Sequence, residues 1–335
     1  QKLGKHQAHA RALGCLALDI AETGRVGEPR LAAEEGLALA KEMALPVTAA
    51  EIARHLGSIE IDQGNLARAR QLLEHTLSVG EFFGEITLTQ NSLQLLGKLA
   101  YLEGNLPETL EMTQRLVRHN QVEGHARMEA IGRVNLAAIH GKLGELDQER
   151  EEASACLEIA KTMGYDAVAA HARISLGKLA ELQGDLREAE TQYRGAYDGA
   201  VAMGQPMFVA RMGIPLARLH GLTGRFDEAR ALVSAAYQAA EPMGAVRELA
   251  HVRNVEAELD ELAGDEAAAA ERWGDSAEAL ESANMAHEAA WCRLRLGQVL
   301  ARLGDADAAR QTLVAARDGL TSLGLAGHAA EAEAW

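Results

Sequence analysis

The cysteines, histidines and glycine–lysine pairs are the residues of this sequence that could do chemistry, and their spacing suits none of the usual reactions. Cys15, Cys156 and Cys292 lie far apart, so they suit neither a disulfide framework nor a zinc site. We expect them to be buried thiols in a reducing, cytoplasmic compartment. His6 and His9 lie one helical turn apart, and we interpret them as part of a solvated terminal turn rather than as metal ligands.

A phosphate-binding loop is a further chemistry to test, because it requires a Gly-Lys pair followed by Ser or Thr. Four glycines precede a lysine without that Ser or Thr: Gly4, Gly97, Gly141 and Gly177. A Gly-x-Ser-x-Gly segment, which would hold a nucleophilic serine on a sharp turn, does not occur either. We therefore predict no catalytic residue, no metal site and no cofactor, and a chain that is not an enzyme.

The composition argues against two classes of partner. The 33 Lys and Arg stand against 49 Asp and Glu, a formal net charge of −16, and no basic block suits direct contact with nucleic acid. No apolar run reaches the about 18 residues of a membrane-spanning helix, and no signal peptide opens the chain. Aromatic residues make up only 4%, and the six prolines leave long stretches open to helix. Because the first residue is Gln1 rather than Met, we expect the sequence to be part of a longer protein.

A strict 40-residue period must position whatever functional residues the chain has. A glycine followed by a polar residue recurs eight times without insertion, at Gly24, Gly64, Gly104, Gly144, Gly184, Gly224, Gly264 and Gly304. A second series lies halfway between, at Ala44, Gly84, Gly124, Gly164, Gly204, Gly244, Asn284 and Gly324. Gly and Asn tolerate the left-handed conformation that ends a helix. Each period therefore predicts two helices of about 16–18 residues joined by a tight turn.

The predicted core repeats with the turns. Eight residues before each glycine of the first series stand Leu16, Leu56, Leu96, Leu136, Leu176, Leu216, Glu256 and Leu296. The next position is always small: Ala17, Gly57, Gly97, Ala137, Gly177, Ala217, Ala257 and Gly297. A small residue at a fixed place on every first helix lets a neighbouring helix approach closely.

These residues resemble the tetratricopeptide-repeat signature, as in Leu176-Gly177, Gly184-Asp185 and Ala189. The resemblance covers roughly residues 4–324 and is to the longer, 40-residue variety. Such repeats occur in the sensor regions of bacterial STAND/LuxR-type transcription activators, in kinesin light chains and in peptide-sensing regulators. The resemblance implies an all-α fold, a right-handed superhelical solenoid of eight helix-turn-helix repeats. It also implies a single domain over residues 1–335, with a capping helix or the start of a linker at residues 325–335.

The resemblance further implies where a ligand binds, because the first helices of such an array line its concave groove. Polar side chains at the groove-facing positions of repeats 2–6 are Arg54, Gln94, Lys98, Asn135, His171, Lys178, Arg211 and Arg218. Amide and cationic groups gathered in an acidic chain would create a local field suited to an acidic or extended peptide.

The sequence therefore predicts a non-enzymatic scaffold that binds a protein or peptide. We expect it to be the sensor or interaction region of a larger bacterial signalling or transcription regulator. Two alternatives stay open: a self-associating oligomerisation scaffold, and a small-molecule effector site in the groove.

Two residues depart from the repeat. Glu256 replaces the repeat's leucine, and the acidic run that follows it is expected to form a solvated face. Pro215 lies inside a predicted helix, where it removes a backbone donor and is expected to kink the helix. We expect repeat 7 to rotate and to draw its apolar stripe from Val252, Val255, Leu259 and Leu262.

Overall fold

The computed structural model describes residues 28–283, 285–322 and 326–334, and the regular structure of this part consists of α-helices and one short 3-10 helix, Glu241–Met243. The first helices of the hairpins are α2 (Pro46–Asp62), α4 (Ile86–Leu102), α6 (Ala126–Leu143), α8 (Asp166–Leu182), α10 (Pro206–Leu222), α12 (Val246–Ala263) and α14 (Ala286–Arg302). The second helices are α1 (Glu28–Glu42), α3 (Leu66–Phe83), α5 (Leu106–Val122), α7 (Leu146–Thr162), α9 (Leu186–Met203), α11 (Phe226–Ala240), α13 (Glu266–Ser282) and α15 (Ala306–Ser322). A short helix, α16 (Ala326–Glu333), follows them. The described residues contain no strand, which confirms the predicted fold class.

Left-handed residues end the helices where the two turn series predict them. Within the described ranges, twelve glycines have φ between +60° and +83°: Gly64, Gly84, Gly104, Gly124, Gly144, Gly164, Gly184, Gly204, Gly224, Gly244, Gly264 and Gly304. Ala44 takes the same conformation, at φ +51°. Its N–H donates to Lys41 O at 3.0 Å and the N–H of Leu45 donates to Ala40 O at 2.9 Å, the bond pair of a Schellman helix end. The predicted turns at Gly24, Asn284 and Gly324 lie outside the described residues, as do the first predicted helix, Cys15, His6 and His9.

The chain divides into two compact units, Gln1–Val168 and Ala169–Trp335. In the first unit, Leu73 of α3 is fully buried in a cluster that includes Leu96 of α4 and Met112 of α5. Gly57 of α2 provides the room, because a Cβ added there would lie 2.9 Å from Leu73 Cδ2. The small residue of the repeat is therefore the place where the second helix of the same hairpin inserts a large side chain. The single domain that the sequence predicts over residues 1–335 stays a prediction.

The second unit uses the same packing with larger side chains. A Cβ added at Gly177 would lie 2.5 Å from Cε1 of the buried Tyr193. Trp273 of α13 is fully buried and forms a cluster with α12 and α14. Near the end of the chain, Ala329 and Ala332 of α16 join a buried cluster with Leu313, Ala316 and Leu320 of α15.

The repeat that carries Glu256 keeps part of its predicted core. Val252, Val255 and Leu259 are buried as predicted, whereas Leu262 is 46% exposed, so that part of the expected stripe is wrong. Glu256 is half-buried and accepts a 2.8 Å bond from Arg272 Nη1.

Two carboxylates of the acidic run that follows Glu256, those of Asp260 and Glu261, are paired, contrary to the solvated face expected. Asp260 Oδ2 accepts a 2.7 Å bond from Arg272 Nε, and Glu261 accepts bonds from Arg295 and Arg302. These two carboxylates are paired because α13, the second helix of the hairpin, and α14, the next first helix, both carry arginines that reach them.

Two further expectations concern helices. Helix α10 continues as one helix from Pro206 to Leu222 through Pro215, and the expected kink stays a prediction. Of the helices within the described residues, none combines the length and apolar character needed to cross a membrane.

Candidate functional site

All eight predicted binding residues lie on first helices of the hairpins, distributed over both units. The first unit holds Arg54 on α2, Gln94 and Lys98 on α4, and Asn135 on α6. The second unit holds His171 and Lys178 on α8, and Arg211 and Arg218 on α10.

Three of the predicted residues line one cavity of about 430 Å³ in the first unit, here named the α4–α6 cavity. Its lining residues are Leu93, Gln94, Gly97, Lys98 and Tyr101 of α4, Thr109, Thr113 and Leu116 of α5, and Asn135, Ala138, Ile139 and Lys142 of α6. Leu93, Leu116 and Ile139 are buried, whereas Gln94 and Asn135 are exposed. Neither of these two amides has a hydrogen-bond partner within the described part of the chain. The cavity therefore offers an apolar floor between two free amide groups.

Two lysines stand at the α4–α6 cavity. Lys98 Nζ lies 3.2 Å from Asp62 Oδ1, and both side chains are exposed, so the pair contributes little and can exchange for another anion. Lys142 Nζ donates to Tyr101 Oη at 2.7 Å and lies 4.8 Å from the centre of the tyrosine ring. Sequence reasoning missed Tyr101 and Lys142 because they lie in the last helical turn, beyond the positions taken from the family resemblance.

Arg54 does not line the α4–α6 cavity. Its Nη2 lies 2.9 Å from Nε2 of His55. Burial and the charge of Arg54 lower the pKa of His55 to about 4, so the imidazole is neutral at pH 7 and accepts from the guanidinium. Arg54 therefore serves a contact within its own helix.

The predicted residues of the second unit are mostly engaged with neighbouring side chains. The His171 ring packs edge-to-face on Phe208 at 5.3 Å, and burial with the charge of Arg211 lowers its pKa. Arg211 Nη2 donates to Glu248 Oε1 at 2.5 Å, and Arg218 pairs with Glu181. Lys178 is exposed.

A second cavity, of about 400 Å³, lies between α10, α12 and α14 and is here named the α10–α14 cavity. Its lining residues are Ile214, Arg218, His251, Asn254, Val255, Glu258, Glu288 and Trp291. Arg218 is the one predicted site residue among them. Glu258 shares the repeat position of Lys98 and Arg218, and Trp291 shares that of His171. The sequence prediction omitted both because it selected for cationic and amide side chains.

The described cysteines are inert. Cys156 and Cys292 are buried and free, as predicted. Burial raises the pKa of the Cys156 thiol to about 11 and that of Cys292 to about 12, so both stay protonated at neutral pH. In the part of the chain that the structure describes, no three His, Cys, Asp or Glu side chains are grouped to hold a metal ion.

Comparison with known proteins supports the repeat. The family model described as Tetratricopeptide repeat matches residues 170–194, 211–235 and 290–315, each within one predicted hairpin. No curated protein matches the sequence.

Three solved structures illustrate the similarity of fold. The aspartyl phosphate phosphatase F of Bacillus subtilis has a TM-score of 0.69 at 12% identity, covering 91% of this chain and 79% of that one. The Rap conjugation gene regulator of plasmid pLS20, in complex with the Phr* peptide, has a TM-score of 0.64 at 13% identity, covering 96% and 98%. A STAND protein with a tetratricopeptide-repeat sensor from Pyrococcus horikoshii has a TM-score of 0.64 at 16% identity, covering 82% and 42%. The predicted resemblance to tetratricopeptide-repeat proteins is confirmed.

Proposed function

We propose that this chain is a non-enzymatic repeat scaffold that binds a peptide or protein segment on its first helices. We further propose that it is the sensor or interaction region of a larger bacterial signalling or transcription regulator. Support comes from the structural relatives, which include a regulator in complex with a peptide and a STAND protein with a repeat sensor. The observation that carries the proposal is the α4–α6 cavity, with its free amides over an apolar floor.

The chemistry of the α4–α6 cavity fits an extended peptide. A side-chain amide donates and accepts at once, so Gln94 and Asn135 can each pair with a backbone N–H and C=O regardless of the peptide's sequence. The floor formed by Leu93, Leu116 and Ile139 accepts an apolar side chain. A carboxylate of the peptide would replace Asp62 as the partner of Lys98.

The experiment selects peptides from a phage-displayed random library on the wild-type chain. It then measures their affinity for Gln94→Ala with Asn135→Ala by fluorescence polarisation. Two lost amide contacts are worth about 1–3 kcal/mol together, so we expect binding to weaken about fivefold to 150-fold. Gln311→Ala is the matched control, because it removes an exposed amide from the second helix α15. Unchanged affinity of the selected peptides for the double variant would overturn the proposal.

Self-association is the second candidate, and one surface of the first unit favours it. Phe82 and Phe83 end α3, are 82% and 47% exposed, and pack edge-to-face with ring centres 4.9 Å apart. Val122, at the end of α5, is 83% exposed. The two adjacent exposed rings form an apolar patch, and contiguous apolar patches mark contact surfaces. Light scattering of Phe82→Ser with Phe83→Ser tests this candidate: a wild-type dimer that dissociates in the variant supports it, and a wild-type monomer excludes it.

A further inference from the structure

The α10–α14 cavity combines an aromatic ring with acidic side chains. Glu258 and Glu288 line it together with Trp291, Ile214 and Val255. The one arginine of the lining, Arg218, is already paired with Glu181. Glu258 therefore offers a ligand in this cavity a negative charge, in a chain whose formal net charge is also negative.

Glu258 is the carboxylate of this cavity that lacks a counter-ion of its own. It is partly buried and has no hydrogen-bond or ion-pair partner within the described residues. Burial raises its pKa, the charges of Arg218 and Arg295 oppose that shift, and those of Glu261 and Glu181 add to it. Arg295 bonds Glu261 at 3.1 Å, so both nearby arginines serve other carboxylates. A partly buried carboxylate without a partner is costly, and a cationic ligand would relieve that cost.

The Trp291 ring has a fixed position in the lining. It packs edge-to-face on Trp273 with ring centres 5.3 Å apart and an interplanar angle of 77°. Trp273 is itself fully buried, and its indole N–H donates to Glu261 Oε1 at 2.8 Å. An indole held in this way beside a carboxylate is well suited to an organic cation, because cations are attracted to the face of a tryptophan ring.

Asn254 adds a polar group to the same lining. Its side chain is 8% exposed, and its Oδ1 accepts a weak bond from Cys292 Sγ at 3.4 Å. That contact orients the amide, so that its N–H groups remain to donate to a carbonyl next to the bound cation.

We infer that the α10–α14 cavity binds a guanidinium or ammonium group between the Glu258 carboxylate and the Trp291 ring. The inference deepens the proposed function, since a basic side chain of a bound peptide would carry this group. It differs from the acidic peptide that the sequence predicts. A free organic cation has the same chemistry, and the experiment separates the two sources.

The probes are capped tripeptides Gly-Xaa-Gly in which Xaa is Arg, Lys, citrulline or Glu, titrated into the whole chain. The indole N–H signals in NMR spectra report binding. We expect the Arg and Lys peptides to shift the Trp291 signal, and the citrulline peptide, which keeps the shape but loses the charge, to bind at least about tenfold more weakly. Free arginine and spermidine form the second arm. Tighter binding of the capped peptides identifies a peptide ligand, and equal or tighter binding of the free cations identifies a small molecule.

Variants at two positions, Glu258 and Trp291, link the binding to the cavity. Glu258→Gln keeps the shape of the side chain and should weaken binding of the Arg peptide at least about tenfold. Trp291→Phe, which keeps an aromatic ring, should weaken binding of the same peptide less than Trp291→Leu does. Glu278→Gln is the matched control, because it removes the same charge from an exposed position on α13. Equal binding of the Arg and citrulline peptides, preference for the Glu peptide, or full affinity in Glu258→Gln would overturn the inference. If library peptides lose affinity in the Gln94→Ala with Asn135→Ala variant but keep it in Glu258→Gln, the proposed function holds and the inference about the α10–α14 cavity is wrong.

Discussion

Replacing glycine by alanine at two equivalent positions of the repeat should stabilise the fold at one position and destabilise it at the other. Gly177 and Gly97 both follow the repeat's leucine on a first helix. A Cβ added at Gly177 would meet Cε1 and Cδ1 of Tyr193 at 2.5 and 2.6 Å, whereas one added at Gly97 meets its nearest neighbour, Thr113 Oγ1, at an ordinary 3.6 Å. Tyr193 cannot move aside easily, because it is 3% exposed and its hydroxyl donates to Glu181 Oε2 at 3.0 Å.

The magnitudes follow from two opposing effects. Replacing glycine by alanine inside a helix stabilises by about 0.5–1 kcal/mol. Forcing a methyl group into a filled core costs about 1–3 kcal/mol. We therefore expect Gly97→Ala to raise the free energy of unfolding by about 0.5–1 kcal/mol. Gly177→Ala should lower it by up to about 2.5 kcal/mol, because the cost of overpacking exceeds the gain in helix propensity.

Urea unfolding followed by far-UV circular dichroism measures both changes, as shifts of the midpoint at a constant slope. Tyr193→Leu in the Gly177→Ala background is the control for mechanism, because a smaller, flexible side chain should make the added methyl group less costly. Stabilisation by Gly177→Ala, or destabilisation by Gly97→Ala, would refute the packing argument.

Three further predictions concern other parts of the molecule. Ala44→Gly should raise the free energy of unfolding by about 0.5–1 kcal/mol, because an exposed alanine at φ +51° carries a strain that glycine does not, and urea unfolding measures it. Lys98→Ala with Lys178→Ala should weaken the binding of library-selected acidic peptides at least about tenfold in fluorescence polarisation, with little change in melting temperature since both lysines are exposed. The bidentate bonds from Arg225, at 2.7 and 2.8 Å, lower the pKa of Glu190 to about 2. Because that folded-state pKa is depressed, the pair stabilises the fold above the carboxyl's ordinary pKa near 4.5 and loses its contribution as the pH falls towards 2, so Arg225→Gln should reduce the loss of melting temperature over this range.

Each of these three has a result that contradicts it. For Ala44→Gly it is a lower midpoint in urea. For the lysine pair, the contradicting result is that Lys161→Ala, which removes an exposed charge from the second helix α7, weakens peptide binding as much as the double variant does. For Glu190 it is an identical acid profile in the wild type and in Arg225→Gln.

The local signals of the sequence predicted most of the fold. A left-handed helix end depends on one residue, so a glycine every half-period was sufficient to locate the turns, and even Ala44 follows the period. The small residues Gly57, Gly177 and Gly297 likewise make room for a side chain of their own hairpin. Such features need no knowledge of which hairpins meet.

Contacts between hairpins were harder to predict. Arg218 pairs with Glu181 and Arg211 with Glu248, in both cases across neighbouring first helices. The positive charge of these arginines could not by itself show that they form ion pairs within the chain and are not available to a ligand. The α10–α14 cavity was missed for the same reason, because its character comes from side chains on three helices that look unremarkable one by one. Gln94, Lys98 and Asn135 were placed together because the period alone sets their phase.

The fit between a small residue and the side chain sixteen positions later has a consequence for how such a chain grows. Gly57 with Leu73, Gly177 with Tyr193 and Gly297 with Leu313 are each contained in a single hairpin. A hairpin that begins and ends at left-handed turns therefore contains both the small residue and the larger side chain that packs on it, and keeps this contact when the hairpin is duplicated, deleted or moved. The number of hairpins can therefore change by gene duplication without any change to the packing within each hairpin. The contact between two newly neighbouring hairpins, in contrast, must be fitted again by selection. The contact between neighbouring hairpins is thus the part of the structure that must be fitted again after each such change, and both cavities are lined by residues of neighbouring hairpins.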